Sequence, residues 1–226
     1  MIDKEHELSV TRDSGPDDRR IDSESGLAMS NVVHLAKPKT RRVPERLQLR
    51  IELAWIKPVI WRRIIVPESI TLPKLHQVIQ VTMGWHDCHL HDFDIAGETY
   101  GVPDPDYDFG TPARSEQRVR LGTALGNAKS FRYTYDFGDN WEHRIKVEKR
   151  LAPDPEFARC AVCIAGANAC PPEDVGSELG YVDFVTAMAD PKHPDHEDML
   201  NWYGRPFDPS QFDFVAINLD LQNIKL

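Results

Sequence analysis

The sequence predicts an α+β fold: a mostly antiparallel sheet, one long helix after the second strand, and short helices near the C-terminus. Two observations carry this. Apolar and polar residues alternate in five stretches before residue 150, the period that puts every second side chain on one sheet face. After the second and after the last of these, apolar residues recur three and four apart, which is the period of a helix with one buried stripe.

The elements follow in chain order. Leu47, Leu49, Ile51 and Leu53 alternate with Arg46, Gln48, Arg50 and Glu52, giving a first strand with one apolar face. Pro58 breaks that run, and Val59 to Val66, rich in branched residues, makes a second strand and an antiparallel neighbour. Thr71 is placed to cap a helix whose stripe is Leu75, Val78, Ile79 and Met83, with Pro73 in the first turn and Gly84 at the end. Alternation returns from His89 to Ile95. Residues 100–118 read as a long loop, and Val119 to Leu121 as a short strand. A hairpin follows, with Phe131, Tyr133, Tyr135 and Phe137 on one strand face, Trp141, His143, Ile145 and Val147 on the other strand, and Gly138, Asp139 and Asn140 at the turn. The chain reads as irregular from Cys160 to Gly180. Two short helices are expected at Tyr181 to Ala189 and Pro194 to Tyr203, and Asp208, Pro209 and Gln211 resemble the cap of one last turn.

Composition narrows the class. With 226 residues, 41% hydrophobic and 28% charged, the chain has the make-up of a globular protein. No apolar run reaches the ~18–20 residues that cross a bilayer, which excludes an integral helical membrane protein. Residues 1–44 lack apolar periodicity and read as a disordered leader, and residues 45–226 as a single domain. Met1 to Ser30 holds no apolar signal core, so a cytoplasmic location is expected. Four cysteines without an export signal do not make a disulfide scaffold. The net charge of −9 disfavours nucleic acid as a partner, because neutralising phosphates needs a basic face. The stretch from Lys37 to Arg63 is nevertheless basic, and Arg41, Arg42, Arg62 and Arg63 are its candidate interaction residues.

Three segments carry a family resemblance: Pro58 to Arg63 with the following helix and Gly84–Trp85; Tyr135 to His143; and Ala169 to Gly176 leading to Gly180–Tyr181. Together they resemble the plasmid pRiA4b ORF-3-like family, from about Leu47 to Phe214. One departure is Ser177, where the family pattern has a second glycine. The resemblance implies a compact α+β domain, an association with bacterial plasmids and mobile elements, and no established activity. Some members bear a transposon-resolvase label, which the residues do not support. The early serines lie in the leader, where nothing holds a nucleophile among arginines, and late in the chain Tyr203 has only Arg205 beside it.

The most pointed chemistry is histidine and carboxylate. If the aromatic face of each strand is the core face, His89, His91 and His143 project into one interior. Imidazoles two apart on a strand lie about 6–7 Å apart on one side, a spacing that suits two ligands of one divalent metal. Asp136 adds a candidate ligand, and Asp139 a candidate catalytic carboxylate at the turn. Glu173 and Asp174, after the stiff Pro171–Pro172 pair, are two further candidate catalytic groups. The plainer alternatives are core histidines with a carboxylate partner and ordinary turn chemistry. Cys160, Cys163 and Cys170 offer three sulfurs at near-zinc spacing, or simply small packed thiols. Three functions therefore stand side by side. The first is an accessory module of mobile DNA acting through protein partners, and the second a metal-dependent hydrolase. The third is a DNA-associated regulator.

Overall fold

The computed structural model describes residues 43–103 and 113–226, which belong to one compact unit, Arg41–Leu226. The expected leader, with Arg41 and Arg42, lies outside the described residues except for its last two positions. Eight strands form one sheet: β1 (Arg46–Leu53), β2 (Trp61–Pro67), β3 (His91–Ile95), β4 (Glu98–Gly101), β5 (Arg114–Ser115), β6 (Ser130–Tyr135), β7 (Trp141–Leu151) and β8 (Val162–Ala167). Their order across the sheet is β5-β4-β3-β6-β7-β1-β2-β8, and every pairing is antiparallel except β4 with β5. Five helices complete the described part: α1 (Leu72–Met83), α2 (Leu121–Leu125), α3 (Ser177–Ala189), α4 (His196–Tyr203) and α5 (Phe214–Leu221). The fold is α+β, with a mostly antiparallel sheet. None of these helices is long and apolar enough to cross a membrane.

Alternation decides which face is covered. Leu47, Leu49, Ile51 and Leu53 of β1 are buried, while Arg46, Gln48, Arg50 and Glu52 are half-buried on the other side. The buried side continues through Ile64 and Val66, Phe93 and Ile95, Phe131, Tyr133 and Tyr135, and Trp141 and Ile145. Helix α1 lies over it through Leu75, Val78, Ile79 and Met83, the expected stripe, and Gly84 ends the helix in the left-handed conformation.

Several elements differ from the sequence reading, each for a local reason. Helix α1 has twelve residues and α3 thirteen, so the helix after β2 is not the single long one. Just before the expected loop at 100–118, β4 turns back on β3 through Ala96 and Gly97, both at positive φ, and it runs on into the start of that loop. An Ala-Gly pair hides the two-residue turn that Asn-Gly would advertise. Val119 to Leu121 is not a strand; Arg120 makes an isolated bridge to Thr71, and α2 starts at Leu121. Phe137 leaves the core face and is exposed, because Asp136 takes a left-handed backbone (φ 57°) that ends the alternation. The segment after Cys160 holds β8 at the sheet edge, paired to β2. Asp208 forms a turn with Ser210 instead of a helix cap; the last helix is capped by Asp213, which accepts from the Val215 and Ala216 amides.

Candidate functional site

The site grows from one pairing. Strands β3 and β6 are antiparallel neighbours with His91 opposite Tyr135. The residues just before β3 and just after β6 therefore meet at the same end of the sheet, and the Asp136 amide donates to the Leu90 carbonyl at 2.9 Å. That puts His89 next to Asp136. A loop from Cys170 to Gly176 lies over this end. The Trp85 indole N–H holds it at the Pro171 carbonyl (3.0 Å), and Asp139 Oδ2 accepts from the Gly176 amide (3.0 Å).

The result is an imidazole ringed by carboxylates. His89 Nε2 lies 3.0 Å from Asp174 Oδ1, 3.7 Å from Asp136 Oδ2 and 4.0 Å from Glu173 Oε2. Among the described residues, His89, Asp136 and Asp174 are the group whose ligand atoms all lie within 4.8 Å of one another. Bonds of about 2.0–2.2 Å to a shared ion would set neighbouring donor atoms about 3–3.5 Å apart. The set is within a small adjustment of that. His89 Nε2 is also closed off from solvent and has no partner in hydrogen-bond geometry. Its nearest carboxylate oxygen, Asp174 Oδ1 at 3.0 Å, is an ion-pair contact without hydrogen-bond alignment, and a buried nitrogen that lacks an aligned partner is costly unless something else binds it.

The carboxylates are positioned from outside the ring. Asp136 Oδ1 accepts from the Gly138 and Asp139 amides at 2.9 and 3.3 Å, leaving Oδ2 toward His89. Glu173 Oε1 accepts from the His86 amide (2.8 Å), the Tyr135 hydroxyl is shared between Oε1 (3.1 Å) and Oε2 (3.3 Å), and Oε2 faces His89 at 4.0 Å. Burial, with the Glu173 charge beside it, raises the Tyr135 hydroxyl above its ordinary value, so it remains an O–H donor. Asp136 and Asp174 both hold left-handed backbone, φ 57° and 58°. Such strain in non-glycine residues persists where the surroundings impose it, and functional sites are a common place.

The expected convergence of three imidazoles is not what the structure shows. His91 turns to Glu116, Nε2 to Oε2 at 3.0 Å, and stacks on His76. His143 is fully buried beside Trp85 and Tyr133; its Nδ1 lies 3.3 Å from the Tyr133 carbonyl, and burial lowers its pKa to about 4. The alternation placed both rings on the core face correctly, but that face is a packed interior. His89 precedes the strand and escapes its register. Asp139 serves the loop: its carboxylate is taken up by the Gly176 amide.

The sulfurs do not gather. Cys160 is exposed, Cys163 is buried in β8, and among the described residues no three-donor group includes a thiol. Burial pushes Cys170 up to about 12, so it stays a neutral thiol. Of the basic candidates, Arg62 is corrected outright. It alternates with Ile64 and Val66 on the core face and is only 3% exposed, so no partner can reach it. Arg63 remains on the open face, paired to Glu148 (2.6 Å).

His76, Gln80 and Glu116 were missed. His76 and Gln80 stand four apart along the inner side of α1, a polar pair inside an apolar stripe, and both reach the Tyr133 hydroxyl (2.7 and 3.1 Å). That pairing was the available signal.

Comparison with known proteins agrees with this architecture. "Uncharacterized protein y4hQ" of Sinorhizobium fredii (strain NBRC 101917 / NGR234) is 37% identical over 179 residues, covering 78% of this chain and 88% of that protein. A crystal structure of a protein of unknown function, MM3350 from Methanosarcina mazei Go1, superposes with a TM-score of 0.67 at 38% identity, covering 76% of this chain and 97% of that one. Residues 45–216 match the family described as plasmid pRiA4b ORF-3-like protein, and the chain belongs to that family.

Proposed function

We propose that the protein binds a divalent cation through His89, Asp136 and Asp174 and acts as a metal-dependent hydrolase. The observation that carries this is the His89 Nε2 atom, buried, without a hydrogen bond, and facing three carboxylates within 4.0 Å. One nitrogen with several carboxylate oxygens suits manganese, iron or zinc better than a soft, sulfur-seeking ion. The ion would supply Lewis acidity and a water of lowered pKa. Glu173, whose Oε2 faces His89 at 4.0 Å and shares the Tyr135 hydroxyl at 3.3 Å, is the neighbouring carboxylate that would serve as general base for that proton.

The test is metal content of the full chain after loading with manganese or zinc and exhaustive dialysis. One ion per chain is expected for the wild type, and loss of it in His89→Ala. Wild-type protein that retains no ion would sink the reading.

The DNA-regulator reading loses support. In the described part of the basic stretch, Arg62 is buried, and Arg50 and Arg63 are paired to Glu52 and Glu148. An interaction role is supported at a different surface.

A further inference from the structure

Helix α3 is apolar on two sides. Its inner side buries Tyr181 and Phe184, while Leu179 and Val182 stand in solvent at 71% and 55% exposure. A helix with a second apolar side is usually covered on that side too. Facing these residues across a groove of about 320 Å³ is Trp55, 68% exposed, on the turn between β1 and β2. Scattered exposed apolar residues are ordinary, but three large ones lining one concavity mark a contact surface. Large aromatic residues at the centre of such surfaces carry much of the binding energy.

The charges on the rim indicate the occupant. The groove has two walls, the turn that carries Lys57 and the helix that carries Glu178; both side chains are exposed. An acidic peptide would meet Glu178, and a basic one Lys57. A second copy related by a two-fold axis through the groove sets each turn against the other copy's helix. Lys57 then faces the partner's Glu178 twice over, and Leu179 and Val182 meet Trp55. A two-fold contact needs this kind of self-complementary patch.

We propose that the groove between the β1–β2 turn and α3 is the seat of a second copy of this chain, forming a two-fold dimer. The inference is independent of the cation site.

The test uses the full chain, by light-scattering mass and sedimentation velocity across micromolar concentrations. The expected mass is twice the 25.8 kDa of one chain. Leu179→Asp, at an exposed position, is expected to give the single-chain mass with an unchanged circular dichroism spectrum. Lys57→Glu and Glu178→Lys each place like charges in contact and are expected to weaken the dimer about tenfold, on the scale of a charged rim contact. The combined variant is expected to recover wild-type association, which a misfolded protein could not do. A monomer at every concentration overturns the proposal, as does a dimer that none of the three single variants weakens. A combined variant weaker than both charge singles overturns the two-fold pairing.

Discussion

His76 and His91 lie face to face, ring centroids 3.6 Å apart and 5° from parallel, each tied on its outer side to a carboxylate. His76 Nε2 meets Asp87 at 2.7 Å and His91 Nε2 meets Glu116 at 3.0 Å. The arrangement spends His91 on a structural stack and leaves His89, two residues earlier, as the imidazole available to a ligand. Two stacked rings cannot both carry a proton in a buried site without repulsion. Burial, and then the neighbouring His91, accordingly lower the pKa of His76.

Acid should destabilise the protein in a histidine window. His143 falls from 6.5 to about 4 through burial, and His76 is lowered too. Between the two values the unfolded chain binds the proton and the folded one does not. Stability is therefore full above pH 6.5 and drains as pH falls toward 4, by about 3 kcal/mol for His143 alone. Glu148, lowered to about 2 chiefly by its hydrogen bond from Arg63, acts only below its ordinary 4.5. Its share is also small, about 1 kcal/mol, because the pair lies half-buried on the solvent-facing side of the sheet, where water screens it. Denaturant melts at pH 7.5 and 4.5 should show His143→Phe losing about 2–3 kcal/mol less than wild type across that interval. Equal losses would refute the assignment.

Asp136→Asn separates the two jobs of that side chain. An asparagine oxygen can still accept from the Gly138 and Asp139 amides, and asparagine tolerates the left-handed backbone at this position. The charge facing His89 is lost. Stability without metal should change by less than about 1 kcal/mol. Manganese or zinc affinity, read by titration calorimetry, should fall about tenfold or more. Unchanged affinity would remove Asp136 from the ligand set.

Gly180→Ala tests whether α3 holds the carboxylate loop in place. A Cβ at Gly180 would overlap the Val175 backbone carbonyl, which cannot move without dragging Asp174 and Gly176. Alanine usually helps a helix, by up to about 1 kcal/mol over glycine. Here the sign should invert. A lower melting temperature is expected, together with weaker metal retention. A stabilised variant with full metal binding would show that the loop does not depend on this contact.

Alternation and turn chemistry made most of the sheet legible. The strands β1, β2, β6 and β7, the stripe of α1, and the inward His91 and His143 all follow from periods of two and three to four. The site was only half legible, because periodicity reports which face a residue takes and not what waits there. His91 and His143 were placed correctly and still failed to converge, since the interior they enter is filled by His76, Tyr133 and Trp85. Glu173 and Asp174 reach His89 from 85 or so positions away, and it is the fastening of their loop, Pro171 to Trp85, Glu173 to His86 and Tyr135, and Gly176 to Asp139, that decides this. Such a long-range contact leaves no periodic trace. Strand β8 was hidden for a related reason: its Cys, Ala and Gly residues lack β-propensity, and pairing to β2 decides its conformation.

Arg62 yields the strongest stability prediction. Its Nε donates to the Thr82 carbonyl at 2.7 Å, and Nη1 donates to the carbonyls of Trp61 and Ala167 at 2.8 and 2.9 Å. The guanidinium lies against the Phe212 ring, 4.7 Å from its centre, and Gly166 keeps that space open because a Cβ there would strike Phe212. One planar group thus ties α1, β2, β8 and the segment before α5 together. Lysine keeps the charge but has neither the fork nor the flat face, so Arg62→Lys leaves buried carbonyls unpaired. The expected loss is about 2–4 kcal/mol, the cost of two to three such orphaned groups after partial relaxation. Chemical denaturation measures it directly. Arg62→Lys within about 0.5 kcal/mol of wild type, the range of an ordinary surface change, would mean the arginine is not buried as described.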